Sequence, residues 1–412
     1  MPASQTAAPV RPDGGATLVS VVIPAYNAQA FLAQAIQSVL AQRYPSLELI
    51  VVDDGSSDDT AAIIAGFGKR LRSLFQPNAG LAAARNAGAA LARGDYLAFL
   101  DADDLFLPNK LTLQAAALDR DPGLALVASG LRLVDSGGRL LQVVRPWAHQ
   151  PRIDGERLTY LGLVGVHGVL LRRSWFERVG GFDVRLPFCE DMDFWWRLWA
   201  AGGHMAWLPA LVGDYRIHGT NMSQRVLEHH RWRVALLRRQ LASGLLDPTV
   251  TARRDTVIAR LKLSAAGRLY GLSDPASAAS LLDEALDLDP GLLTATRAEL
   301  LDALAAWRDD VWIEDRADIH ARALARLPRR LDWLASRPEL LDIACWRRRF
   351  YNAVAERDGP TLRRAWLHLV CRDLHWLANR GSWSLLVRSL GYGRERTAPT
   401  PSAAEVQGGL PS

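Results

Sequence analysis

The chain has 412 residues, 49% of them apolar and 23% charged, with a net charge of +5, which makes a globular, core-forming protein of two or three domains the expectation. Its three cysteines, Cys189, Cys345 and Cys371, are far apart and odd in number; this argues against a disulfide framework and for a reducing compartment, and no Cys/His cluster points to zinc. No apolar run reaches the ~20 residues needed to span a bilayer, and no basic segment precedes an apolar core at the N-terminus. Neither a membrane span nor a secretory leader is expected, and the expected location is cytoplasmic.

In chain order, residues 1–17 are rich in Pro, Ala and Gly without any period and read as a disordered leader. LVSVVIPAY (18–26) is a β-branched run, as in a strand covered on both faces. Phe31, Leu32, Ala35, Ile36, Val39 and Leu40 follow at helical spacing over 28–42. LELIVVDDG (47–55) predicts the next strand, followed by a helix over about 58–67, a short strand near 71–75 and the alanine-rich helix GLAAARNAGAALARG (80–94). The strand 95–100 then delivers Asp101, Asp103 and Asp104 to one spot. Such clustered carboxylates repel one another unless something positive lies between them, and a divalent cation is the usual remedy. A solvated turn whose acids cap the next helix, with Asp104 near Pro108, is the alternative.

Strand and helix alternate four times up to this point, the signature of a mostly parallel α/β sheet. In open sheets of that kind ligands sit beyond the carboxyl ends of the strands, where Pro24–Asn27, Asp53–Ser57 and Asp101–Asp104 all fall. Short strands near 124–135 and 139–144 and an apolar run at 162–171 come next, then a helix from Glu190 carrying Met192, Trp195, Trp196 and Trp199. Beyond 228, Leu, Ala and Arg dominate and strand patterns vanish. Within this part, SDPASAASLLDEALDLDP (273–290) is similar to one helix of a tetratricopeptide unit, but a single copy predicts a helical hairpin rather than a repeat array.

Taken together, VVIPAYNA, IVVDDGSSDDT, GLAAARNAGAALARGDYLAFLDADD and RRSWFERVGGFDVRLPFCEDMDFWWRLWAAG resemble the ordered motifs of the inverting nucleotide-sugar glycosyltransferases of family 2, over roughly residues 18–222. The resemblance implies a GT-A fold: a mostly parallel sheet flanked by helices, here followed by an all-helical C-terminal region. The domains expected are a leader (1–17), a GT-A domain (18–227), a helical domain (228–392) and a disordered tail (393–412).

Several site residues follow from that resemblance. Asp101-Ala102-Asp103 matches the DXD motif, with Asp103 as the ligand of Mn²⁺ or Mg²⁺ and Asp101 touching ribose or a metal-bound water. His218, in DYRIHGTNMS (214–223), completes the metal site or touches the diphosphate; a packed or surface histidine is the alternative, and Asn221 and Ser223 carry less weight. Asp53 and Asp54 match the base site. A carboxylate there can accept the ring N–H of uracil, but thymine offers the same group, so UDP and dTDP are not separated. Pro24, Ala25, Tyr26 and Asn27 form the wall beside the base. Arg85 pairs with Asp53, reaches a phosphate, or makes a surface ion pair. Glu190 and Asp191 match the catalytic pair: Asp191 as the general base for the acceptor hydroxyl, Glu190 on the sugar or supporting Asp191. Acids at a helix start are otherwise ordinary. Trp195, Trp196 and Trp199 are expected mainly in the core, one of them as a floor for the acceptor sugar.

Charge is uneven along the chain. Residues 322–396 hold 16 Arg against 7 Asp and Glu, a surplus of +9 interleaved with Trp333, Trp346, Trp366, Trp376 and Trp383. In TLRRAWLHLVCRDLHWLA (361–378), Leu362, Trp366, Leu369, Val370 and Leu377 share one face, flanked by Arg363, Arg364 and Arg372. Peripheral attachment to the inner face of the plasma membrane is one expectation; a helical bundle whose tryptophans are core is the other. The partners expected are a nucleoside-diphosphate sugar, a saccharide or lipid-linked acceptor and an anionic membrane surface, with no nucleic acid. The reading is an inverting, metal-dependent transferase of surface-glycan synthesis using a UDP-sugar. A nucleotidyltransferase would begin with a Gly-rich basic loop, which VVIPAYNAQA lacks. A catalytically silent nucleotide-sugar-binding scaffold is the alternative from another class.

Overall fold

A computed structural model describes residues 16–155, 158, 165–244, 246, 248–272, 274–294, 297–306, 319–372, 376 and 380–389. Most of the expected leader (1–15), the expected tail (393–412) and Leu377 lie outside these residues. By contacts the chain divides into two units, one of Met1–Ser223 with Arg231–Ala252 and one of Gln224–His230 with Arg253–Ser412.

The first unit is built on one nine-stranded sheet. Strand β1 (Val19–Ala25) is buried along its whole length and lies parallel to β2 (Leu47–Asp53) on one side and β4 (Tyr96–Phe99) on the other; β3 (Arg72–Phe75) extends β2 in parallel. The crossovers are α1 (Leu32–Leu40), α2 (Thr60–Gly66) and α3 (Leu81–Leu91). This is the part that the alternation of strand and helix foretells. Next come β5 (Leu105–Phe106), α4 (Lys110–Arg120), β6 (Leu124–Asp135), β7 (Leu140–Val144), β8 (Val169–Arg172) and β9 (His204–Ile217).

The order is β3-β2-β1-β4-β8-β6-β9-β5, with β7 on β6. Strand β9 runs parallel to β6, whereas β4–β8, β6–β8, β6–β7 and β5–β9 are antiparallel. The sheet is therefore mixed: β3, β2, β1, β4, β6 and β9 share one direction, and β8, β7 and β5 run against it.

Helix α1 buries Leu32, Ala35, Ile36 and Val39 against β1 and β2, and helix α3 covers the other face. Gly88 lets α3 lie flush on the sheet: a Cβ there would overlap Val22 Cγ1 and stand 3.1 Å from Val52 Cγ2. Helix α5 (Glu190–Ala200) begins after Cys189, whose φ of 62° lies in the left-handed region. Its Trp195 and Trp196 are buried, as the core reading of these residues requires.

The second unit is helical throughout its described residues. Helices Arg254–Gly271 and Pro275–Leu288 form the expected hairpin, the second capped by Asp274, whose carboxylate accepts from Ser277 N (3.2 Å). They share one core with Leu300, Leu304, Leu331 and Leu334. In helix Gly359–Arg372 the face holding Leu362, Ala365, Trp366 and Leu369 packs on Phe350 and Ala353. The apolar stripe set against lipid in the sequence is thus consumed by the bundle. Among the described residues no helix is long and apolar enough to cross a membrane.

Candidate active site at the strand ends

Three polar turns meet at one edge because β1, β2 and β4 are parallel and in register there. Ala25 pairs with Asp53, Asp54 N donates to Ala25 O (2.8 Å), and Leu100 N donates to Val22 O (3.0 Å). Strand β9 reaches the same edge through its antiparallel pairing with β5, Leu105 opposite Asp214. His218 Nε2 lies 2.9 Å from Asp103 Oδ2, and Asn221 Nδ2 donates to the same oxygen at 3.2 Å. Asp103 and His218, far apart in sequence, are brought together; Asn221, given little weight in the sequence, belongs with them.

Arg216 fixes this turn and was not singled out by its sequence. Its backbone N–H donates to Asp104 Oδ1 (2.8 Å), while its guanidinium donates to Asp103 O, Ser136 O and Gln34 Oε1, each at 2.9 Å, and lies over Phe31. Asp104 is buried among these groups rather than capping a helix; α4 starts later, after Asn109, without a side-chain cap.

Arg85 joins the two acidic regions. It is 2% exposed; its Nη2 donates to Asp101 Oδ1 and its Nη1 to Glu190 Oε1, each at 2.5 Å. Its partners are Asp101 and Glu190 rather than Asp53, and the ion pairs are buried rather than at the surface. Burial alone would favour the neutral guanidine, but Asp101 and Glu190 outweigh it and raise the pKa further. The strand-end acids and the start of α5 thereby meet at one cation. Asp191 lies beside it, partly open to solvent. Its pKa is raised from 3.8 to about 7 by burial and by Glu190, against the opposing pull of Arg85.

At the end of β2, Asp53 is buried; its Oδ1 accepts from Ser56 N (2.9 Å), while its Oδ2 has no partner among the described residues. An orphaned buried carboxylate oxygen fits a ligand N–H. Tyr26 is 54% exposed and open to stacking, whereas Pro24 and Ala25 are buried parts of β1. Two expected contacts are otherwise engaged. The Asp54 carboxylate is filled by Gln76 Nε2 (2.7 Å), Ala79 N and Gly80 N (both 2.9 Å), so it holds the loop leading into α3. Asn27 Oδ1 accepts from Ser57 N (2.9 Å), closing the turn between two loops.

Two donor sets compete for a cation. Asp101, Asp104 and His167 present atoms within 4.8 Å of one another. Asp104 and His167 are sealed inside, where diphosphate oxygens cannot join them; burial pushes the Asp104 carboxyl up and the His167 imidazole down to about 4. Asp103 and His218 are more open, their side chains 29% and 14% exposed. The Asp103 carboxylate, with positions left over for phosphate oxygens and water, offers the oxygen ligands that suit Mn²⁺ or Mg²⁺, and His218 lies beside it.

The description "Glycosyl transferase family 2" matches residues 20–180. An uncharacterized glycosyltransferase of Rickettsia prowazekii (strain Madrid E) is 33% identical over 221 residues, 52% of this chain and 69% of the relative. One of Rickettsia conorii (strain ATCC VR-613 / Malish 7) is 31% identical over 221 residues, 52% of this chain but only 36% of the relative, so the chain spans about a third of that protein's length. The crystal structure of S. aureus TarS 1-349 in complex with UDP-GlcNAc is 17% identical, with a TM-score of 0.47 over 80% of this chain and 90% of that one. The chain belongs to glycosyltransferase family 2.

Proposed function

We propose that the chain is an inverting, metal-dependent glycosyltransferase. It moves a sugar from a nucleoside-diphosphate donor to a hydroxyl of a growing surface glycan or its lipid carrier. The observation that carries this reading is Arg85, whose single guanidinium grips Asp101 on the donor side and Glu190 on the acceptor side. Asp53, with its unfilled oxygen, takes the base N–H, and Tyr26 stacks on the ring; uracil is the base we expect, with thymine its rival.

An inverting transfer is one in-line displacement. The acceptor oxygen attacks the anomeric carbon and gives its proton to Asp191, while the bond from that carbon to the diphosphate oxygen breaks and the nucleoside diphosphate leaves. Asp191 suits the task, because a base titrating near the working pH accepts a proton without holding its charge too stably. Asp103 and His218 would hold the divalent cation, which as a Lewis acid offsets charge on the leaving diphosphate. Asp101, pinned by Arg85, faces the ribose. The arginine-rich part of the second unit would rest on an anionic membrane where lipid-linked acceptors occur.

A panel of nucleotide sugars with Mn²⁺ or Mg²⁺ tests the proposal. Wild-type protein is expected to turn over a UDP- or dTDP-sugar only with metal. Asp103→Ala should abolish that turnover in a folded protein. Asp191→Asn should lower the rate by ~10²–10⁴ without losing the donor, the range for removing a general base. Turnover of Asp191→Asn near the wild-type rate overturns the catalytic assignment, and donor binding with no turnover by wild type marks the silent scaffold.

A further inference from the structure

Asp193 lies three residues beyond Glu190 and is fully buried, a costly place for a carboxylate unless it is compensated. Its Oδ2 accepts from Arg197 Nε (2.7 Å); its Oδ1 accepts from Arg239 Nη2 (2.5 Å) and Gln240 Nε2 (2.8 Å). Both arginines also reach the loop before α5. Arg197 continues to Val179 O (2.6 Å) and Gly181 O (2.8 Å), in the loop before α5. Arg239 also donates to Asp183 Oδ2 (3.1 Å) in the same loop. Helix α5, that loop and residues 239–240 therefore close around one carboxylate. The last of these lies well past residue 180, where the family match ends, yet contacts group it with the sheet unit.

We propose that Asp193, Arg239 and Gln240 form a clamp that positions the acid pair at the start of α5, and that the segment Arg231–Ala252 is a working part of the transferase unit. This rests on the reading of Asp191 as the base. Asp193 and Arg239 touch no substrate: they are positioning residues, which fix α5 so that Glu190 meets Arg85 and Asp191 meets the acceptor hydroxyl. Misplacing a reacting group by ~1 Å costs about a hundredfold in rate. Donor binding should be spared, since Asp53, Tyr26 and Asp103 stand on other elements.

The test uses the full chain with the double variant Arg239→Met/Gln240→Leu, the single variant Arg239→Lys, and Asp191→Asn alongside. The double variant is expected to lose about a hundredfold in kcat, with donor KM and nucleotide-sugar affinity near wild type. Arg239→Lys, which keeps a charged donor, should recover most of kcat. Circular dichroism and thermal melts report folding; if the double variant does not fold, Arg239→Gln, which loses the charge but keeps a donor, is measured in its place. A folded variant with wild-type kcat overturns the clamp, as does a fall in kcat matched by an equal loss of donor affinity. A fully active Asp191→Asn instead overturns the base assignment, so the two failures are distinguishable.

Discussion

Asp191 faces opposing demands from catalysis and stability. Burial and Glu190 raise its pKa from 3.8 to about 7, only partly countered by Arg85. As a base it works ionised, so kcat/KM should fall as pH drops through about 7, with the slope of one proton. For stability the sign reverses. The folded state binds this proton more tightly than the unfolded chain, so the carboxyl destabilises the fold above pH 7. That cost fades as pH falls towards the ordinary carboxylate range and is gone below it. A shift of this size is worth on the order of a few kcal/mol; the favourable dipole at a helix start returns only about 0.3–1 kcal/mol. Asp191→Asn is therefore expected to melt at a higher temperature than wild type at pH 8, with the gap closing near pH 3. A gap that stays constant across that range would show that the carboxyl is not held protonated by its surroundings.

Helix α3 links packing to chemistry at the scale of an element. Its residues Arg85 and Gly88 lie one turn apart, Arg85 reaching Asp101 and Glu190 while Gly88 rests on Val22 and Val52. Gly88→Ala would overfill that contact. Overpacking costs about 1–3 kcal/mol, against the ~1 kcal/mol alanine gains over glycine in a helix, so net destabilisation is expected in a chemical melt. Because the helix must lift from the sheet, transfer activity should fall more than the folded fraction does. This element also marks how far the sequence was legible. That residues 80–94 are largely helical could be read from local composition, as could β1 and β2 from β-branched runs and β4 from a short apolar run, because those signals are local. The partners of Arg85 could not: Glu190 is 105 positions away, and only the return of the chain brings it near. Strands β6 and β7 form where short strands were expected, near 124–135 and 139–144, but the antiparallel pairings, such as β5 with β9, are fixed by long-range contacts rather than by periodicity. Asp54 and Asn27 matched a motif, yet local turns fill their hydrogen bonds, a competition that residue types alone do not reveal.

At the scale of the whole molecule, charge and burial must be weighed together. An apolar helical stripe is the same signal whether it faces lipid or a neighbouring helix, and in Gly359–Arg372 it faces the bundle. Trp366 is buried with it; among the five tryptophans of 322–396, Trp383 is the one ranked exposed, at 42%. Among the other described residues of this stretch, Tyr351, Leu367 and Val387 also face outward, 53%, 57% and 61% exposed, where the sequence carries a surplus of nine positive charges. Each arginine near an anionic surface contributes about 1 kcal/mol, falling off within a Debye length of about 8 Å at physiological ionic strength. With so little free apolar surface, attachment should be mainly electrostatic. The full chain is expected to float with anionic vesicles at low salt, to stay behind with zwitterionic ones, and to be released by raised salt. Leu367→Glu with Val387→Glu should weaken flotation only modestly, whereas Arg364→Glu with Arg388→Glu should weaken it more. Flotation that resists high salt and depends on Leu367 would show that apolar insertion carries the attachment. No flotation at low salt would leave the arginines to solvent and the bundle to a role away from the membrane.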